Sequence, residues 1–155
     1  MSPIGKRNPD TVFLSRTKVS PEKTAGEIQE LLGRRARRVM NDYADGEVVG
    51  ISFSIIFEGK EIFFRLPVRW KNYLPVFEKA QRAKRVGRYK PIDQEQAKRT
   101  AWRVAKAWLE AQFALIDSGM AELQEIMLPY LIQGPDEPTL YERLSETGFL
   151  LEHKP

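Results

Sequence analysis

The stretch EVVGISFSIIFEGKEIFFRLP, Glu47 to Pro67, constrains the fold more than any other part of this sequence. Two runs rich in β-branched and aromatic residues are separated by Glu58-Gly59, a pair suited to a two-residue turn. With that turn Ile55 lies opposite Ile62, Phe53 opposite Phe64 and Ile51 opposite Leu66. Each pair is apolar, so the register puts one apolar face on the hairpin. The other face then carries Ser52, Ser54, Phe63 and Arg65, a polar surface with one aromatic on it. A preceding run, RRVMNDYA, leads into Asp45-Gly46, a second strong hairpin signal. Its parity is open. A two-residue turn puts Arg37, Asn41 and Tyr43 on the polar face, and a three-residue turn sends them to the apolar side.

Helices flank these strands. Ser20-Pro21-Glu22 combines a capping serine, a proline suited to the first helical position and an acid at the positive end of the dipole. Ala25, Ile28, Leu31 and Leu32 follow at helical spacing, and Gly33 is a good terminator. Pro67 ends the third strand. A helix is expected from near Pro75 to about Arg85. Asp93 then opens the longest one, in which Trp102, Leu109 and Ile116 recur at seven, as do Ala101, Trp108 and Leu115. Apolar residues on more than one stripe predict a central helix contacted on two sides. Gly119 is placed to break it, and MAELQEIMLPYLI continues the helical pattern to Pro129. Gly134-Pro135 reads as a turn, and Thr139 with Glu142 as a capping box for a last short helix.

The expected architecture is α+β: an N-terminal helix, a three-stranded antiparallel meander, then helices, one of them long, central and packed on the sheet. Residues 1–19 read as a flexible arm able to dock through Phe13, 20–147 as one domain, and 148–155 as a tail.

The chemistry of catalysis is thinly represented. The sequence has no cysteine, which removes disulfides, thiol nucleophiles and thiolate metal sites. Its one histidine, His153, stands two residues from the end, a poor place for a base that must be held in geometry. Asp42, Asp45 and Glu47 cluster at a hairpin tip, where turn chemistry accounts for Asp45-Gly46. The glycines show no phosphate-cradling spacing. No enzyme activity, metal or cofactor is expected. No apolar run is long enough to span a bilayer and no signal peptide is visible, so the reading is a cytoplasmic protein.

What remains is positive charge. The net charge of +4 is modest, with a sequence pI of about 9.4. Its distribution is uneven: Ser20 to Thr100 holds most of the cations, and acids dominate from Leu109 onward. The segment QRAKRVGRYKP holds Arg82, Lys84, Arg85, Arg88 and Lys90 with no acid among them. Three further groups are Arg34, Arg35, Arg37 and Arg38; Arg65, Arg69 and Lys71; and Lys98, Arg99 and Arg103. Arginine forks match phosphate geometry, and Tyr43, Phe63 and Tyr89 are candidate platforms for unstacked bases. The candidate nucleic-acid-binding residues are therefore Arg35, Arg37, Arg65, Arg82, Lys84, Arg85, Arg88, Tyr89 and Lys90. Trp102 and Trp108 read as core residues. The expected partner is a nucleic acid, single-stranded rather than a specific duplex site, since no helix-turn-helix, zinc finger or RNP signature is visible. The alternative is an interaction protein whose basic loop meets an acidic surface of a host or phage protein. Phe149 to Leu151 are then a candidate contact or self-association element.

The stretches EKTAGEIQELL, ISFSIIFEGKEIFFRLPV, AWRVAKAWLEAQFALIDSGMAELQEIMLPYL and TLYERL together resemble a group of small phage-encoded proteins of unassigned function. The similarity runs from Thr17 to about Leu144 and brings no catalytic motif. It implies a phage or prophage origin and action in the host cytoplasm, in the company of replication and recombination functions. The helix–meander–helix order is also loosely similar to that of single-strand annealing proteins, at the level of fold alone.

Overall fold

The structure is a computed structural model that describes residues 12–83 and 94–150, residues 81–83 by their backbone only. Its first helix, α1 (Pro21–Gly33), starts where the sequence places it: the Ser20 hydroxyl accepts the Lys23 backbone N–H at 3.1 Å. One face of α1 buries Ala25, Ile28 and Leu32.

Three strands follow, β1 (Arg38–Ala44), β2 (Glu47–Phe57) and β3 (Lys60–Pro67). Both connections are two-residue turns with consecutive positive φ, Asp45 at 52° and Gly46 at 78°, then Glu58 at 50° and Gly59 at 80°. This is the geometry whose twist matches that of the strands it joins. The second hairpin has the expected register, with Ile55 opposite Ile62, Phe53 opposite Phe64 and Ile51 opposite Leu66. The first differs from both expected alternatives. Its turn has two residues, but Asp42 faces Gly50 while Tyr43 faces Val48, so Val49 is an extra, bulged residue. One extra residue inverts the parity beyond it. Asn41 therefore lies opposite Ile51, on the apolar side, where Gln29 of α1 donates to its Oδ1 at 2.9 Å.

Among the described residues the sheet has four strands, not three, in the order β1-β2-β3-β4, all antiparallel. The stretch expected to be helical up to Pro129 divides into α4 (Leu123–Met127), a 3-10 turn at Leu128–Tyr130, and β4 (Leu131–Ile132). Phe63 pairs with Ile132 and Phe64 with Leu131. Two residues are too few to display an alternation that sequence could reveal.

Between the strands and α4 lie a 3-10 turn (Trp70–Asn72), α2 (Tyr73–Ala83) and the long α3 (Gln94–Asp117). Helices α1 and α3 cover the apolar sheet face, and Ile28, Leu32, Ile51, Phe53, Phe64, Trp102, Leu109 and Met127 meet in one core. Gly119, at φ 78°, follows the end of α3. The last helix, α5 (Leu140–Glu146), has the expected capping box: the Thr139 hydroxyl accepts the Glu142 N–H at 3.2 Å and Glu142 accepts from the Thr139 N–H at 3.4 Å.

Of the expected arm, residues 12–19 are described, and they are tied down. Gln96 Nε2 donates to the carbonyls of Ser15 at 2.7 Å and Thr17 at 2.9 Å. Phe13, the expected anchor, is instead 66% exposed. The Thr100 hydroxyl adds a bond to the Leu14 carbonyl at 3.4 Å, so the polar hold comes from two α3 side chains reading backbone carbonyls, contacts that leave no apolar signature. Among the described residues no helix is long and apolar enough to cross a membrane.

α1 and α3 are joined through Glu27, whose Oε2 accepts from Arg103 at 2.5 Å and Lys106 at 2.9 Å. These bonds, Lys106 first and then Arg103, hold the Glu27 carboxyl below its ordinary pKa of 4.5. A depressed carboxylate contributes stability that is present above its unfolded pKa and lost as pH falls through the folded value. Glu27→Gln is expected to cost about 1 kcal/mol at neutral pH, kept small by partial exposure. The variant should also be flatter than the parent in urea midpoint as pH falls below 4.5. Parallel titrations with equal slopes would exclude this role for the carboxylate.

Candidate nucleic-acid interface

An exposed cation is free to meet a phosphate only if nothing in its own chain already holds it. Arg35 fails that condition. Its Nη2 donates to Asp117 Oδ1 at 2.6 Å and its guanidinium lies 4.5 Å from the centroid of Phe113, so it clamps the end of α3 to the α1–β1 connection. Arg65 donates to the backbone carbonyls of Pro135 and Glu137, and so fastens the segment leading to α5 against the sheet. Lys98 sits between Glu47 at 2.7 Å and Glu95 at 3.1 Å, with its ammonium 4.9 Å from the Trp70 ring centroid. The bond to Glu47, chiefly, raises its pKa. Arg103 is held by Glu27. Arg37 and Arg38 are exposed but share Glu61, Arg38 at 3.0 Å and Arg37 at the outer limit of 4.0 Å.

The polar sheet face is not a phosphate track. Ser52 donates to Asp42 Oδ2 at 2.8 Å, and Ser54 donates to Glu61 Oε1 at 2.8 Å. Two carboxylates thus lie on the face where bases were expected to stack. Phe63 is half-buried there and pairs with Ile132, whereas Tyr43 is 65% exposed near the hairpin tip. The long helix covers the opposite face, so it is not what limits Phe63.

Six of the nine candidate residues are at or beyond the end of α2. Arg82 is on its last turn, with its side chain outside the described residues, as are Lys84, Arg85, Arg88, Tyr89 and Lys90 entirely. His153 is outside them too. Of the acids at the first hairpin tip, Asp42 is bonded to Ser52 and Glu47 to Lys98. Among the described residues no group of three or more His, Cys, Asp or Glu could hold a metal ion.

The approach to α2 is a different environment. Arg69 and Lys71 are exposed and have no acidic partner among the described residues. Lys71 stands over Trp70, 5.8 Å from its ring centroid. Beside them Leu66, Val68, Arg69, Tyr73, Val104 and Trp108 line part of a cavity of about 260 Å³ that Tyr130 also borders. Trp108 meets Tyr130 edge-on, with centroids 5.9 Å apart. Trp102 is buried as expected, and Trp108, also expected in the core, packs half-buried against it while walling this cavity. The lining comes from the end of β3, the start of α2, the middle of α3 and the turn before β4. No linear motif could have announced it.

A second concavity of about 430 Å³ lies at the other end of the apolar sheet face. Phe57, Ile62, Phe64, Leu128 and Leu131 form its floor and walls, and Glu122 and Glu125 stand among its lining residues. No protein-family model matches the chain, and no curated protein and no solved structure matches it.

Proposed function

We propose that this protein binds single-stranded nucleic acid without catalysing a reaction, as a phage protein of the host cytoplasm accessory to replication or recombination. The observation that supports this best is the setting of Arg69 and Lys71. Both lack acidic partners among the described residues, both adjoin aromatic side chains, and the chain runs from them through α2 into the basic sequence Arg82 to Lys90. Most of the other described candidate cations already have partners within the fold. Phosphate contacts are thereby assigned chiefly to the two segments flanking α2 in the chain, Arg69 and Lys71 before it and Arg82 to Lys90 at its end and after it, rather than to Arg35 or Arg65.

The test is fluorescence anisotropy with labelled single-stranded DNA, duplex DNA and single-stranded RNA across a salt series. The expected result is single-strand preference with a steeply negative salt slope. Replacing Arg85, Arg88 and Lys90 together by Ala should flatten the slope on single strands by about 2, near 0.7 per lost phosphate contact. Unchanged affinity and slope in the folded triple variant would refute the assignment.

A second reading has its own observation. The apolar concavity around Phe57 and Leu128, with Glu122 and Glu125 among its lining residues, suits a basic amphipathic segment of a host or phage protein that this chain would bind or inhibit. Complex formation that survives nuclease treatment and is lost in Leu128→Glu would favour it.

A further inference from the structure

We infer that the cavity bordered by Tyr73, Trp108 and Tyr130 receives one unstacked base of the bound strand. This rests on the single-strand reading above and adds a specific site to it. The volume, about 260 Å³, sets the scale of the guest. It exceeds the roughly 150 Å³ that accepts benzene and falls short of the roughly 300 Å³ at which drug-sized pockets begin. A single planar ring system fits that interval.

The walls suit such a guest. Trp108 and Tyr130 form a continuous aromatic corner, and Tyr73 and Val104 also line the cavity. Base stacking on aromatic faces is tolerant of sequence because every base has a π face. Two phenol groups add polarity where a base edge needs it. Neither the Tyr73 nor the Tyr130 hydroxyl has a hydrogen-bond partner among the described residues. A phenol is protonated and able to donate at neutral pH, and burial raises the Tyr73 pKa further.

Charge decides between a base and an apolar peptide side chain. Among the described lining residues Arg69 is the one charged group, and none is acidic. Lys71 lies two residues further on, without an acidic partner. A base entering this cavity therefore brings its own phosphate toward cations, and nothing in the lining repels it. A peptide would need no such cations.

The experiment compares oligothymidylate with an abasic strand of the same length and charge, using the unmodified protein. The intact strand is expected to bind about tenfold more tightly, with the same salt slope. It should quench tryptophan emission, and Trp108→Phe should remove most of that quenching. Ala105 also lines the cavity, and Ala105→Leu, which narrows it, should bring affinity for the intact strand to the abasic level. Because the comparison of strands needs no substitution, a poorly folding variant does not remove the test. Equal, salt-dependent binding of both strands would overturn the base site while leaving the phosphate reading intact. No binding of either strand would overturn the reading and the base site with it.

Discussion

Phe53→Ala is expected to lower the unfolding free energy by about 3–5 kcal/mol, the largest effect of any single substitution considered for this fold. Phe53 is fully buried and stacks on Phe64 across the β2–β3 pair, with ring centroids 5.2 Å apart at an interplanar angle of 25°. It lies where the sheet meets the helices, in the cluster that contains Ile28, Trp102 and Leu109. Truncation removes the transfer free energy of the ring and leaves a hole that three elements would have to close together. A strand in the middle of a four-stranded sheet cannot move to fill it without breaking ladders on both sides. Against a typical total of about 5–15 kcal/mol, a loss of this size removes a large share of the stability and should lower the thermal midpoint well beyond the effect of a surface substitution. Urea denaturation followed by circular dichroism measures this, and Phe53→Leu should lose much less. A loss under about 1 kcal/mol for the alanine variant would mean that the cluster repacks freely.

Gly50→Ala is expected to cost about 2–3 kcal/mol although it adds one methyl group. A Cβ at this position would lie 2.8 Å from the Leu66 carbonyl oxygen and 3.2 Å from the Pro67 Cα. Both are backbone atoms of the neighbouring strand and cannot rotate away. Asp42 Oδ2 would be 3.5 Å distant. The strain falls beside the Val49 bulge, the feature that sets the parity of β1, so relief by slipping the register would move Asn41 off its bond with Gln29. Gly26 provides the control. It lies within α1 with nothing within 4 Å of an added Cβ, so Gly26→Ala should stabilise by about 0.5–1 kcal/mol. The two substitutions should shift the thermal midpoint in opposite directions. A neutral Gly50→Ala would show that β3 has room to retreat.

The parts of the fold that were legible in sequence rest on local chemistry. Ser20, the Asp45-Gly46 and Glu58-Gly59 turns, Gly119 and the Thr139/Glu142 box each act on neighbours within a few residues, and each behaves as its residue type dictates. The second hairpin's register was equally legible, because three apolar pairs agree on it. The bulge at Val49 was not. It sits beside the close approach of Gly50 to β3, a contact between strands that neither strand's alternation records. β4 was hidden by its length, and the docking of residues 12–19 by its reliance on polar bonds from Gln96 and Thr100 to backbone carbonyls.

The candidate site was legible as a composition of charges and much less as a geometry. Sequence lists cations; only distances reveal that Arg35, Lys98 and Arg103 answer to Asp117, Glu47 and Glu27. Those partners are 51 to 82 residues away along the chain. The proposed reading uses Arg69 and Lys71, which the sequence offered with Arg65 as one of four basic groups. Trp108, which periodicity assigns to a packed helix, also lines a cavity together with Tyr130 and Tyr73.

The two-residue turns also divide the assembly of this molecule in time. Each joins strands adjacent in the chain, and isolated hairpins of this kind close in about 1–10 μs. The bond between Arg103 and Glu27 has to bring together residues 76 positions apart. Such distant closure carries a larger entropic penalty before any contact rewards it. The meander is thus the natural early template, and α3 the late arrival that seals it. Until that arrival, Phe53 and Phe64 stand open to water on a twisted three-stranded surface, the interval in which a nascent chain of this design is most exposed to its neighbours.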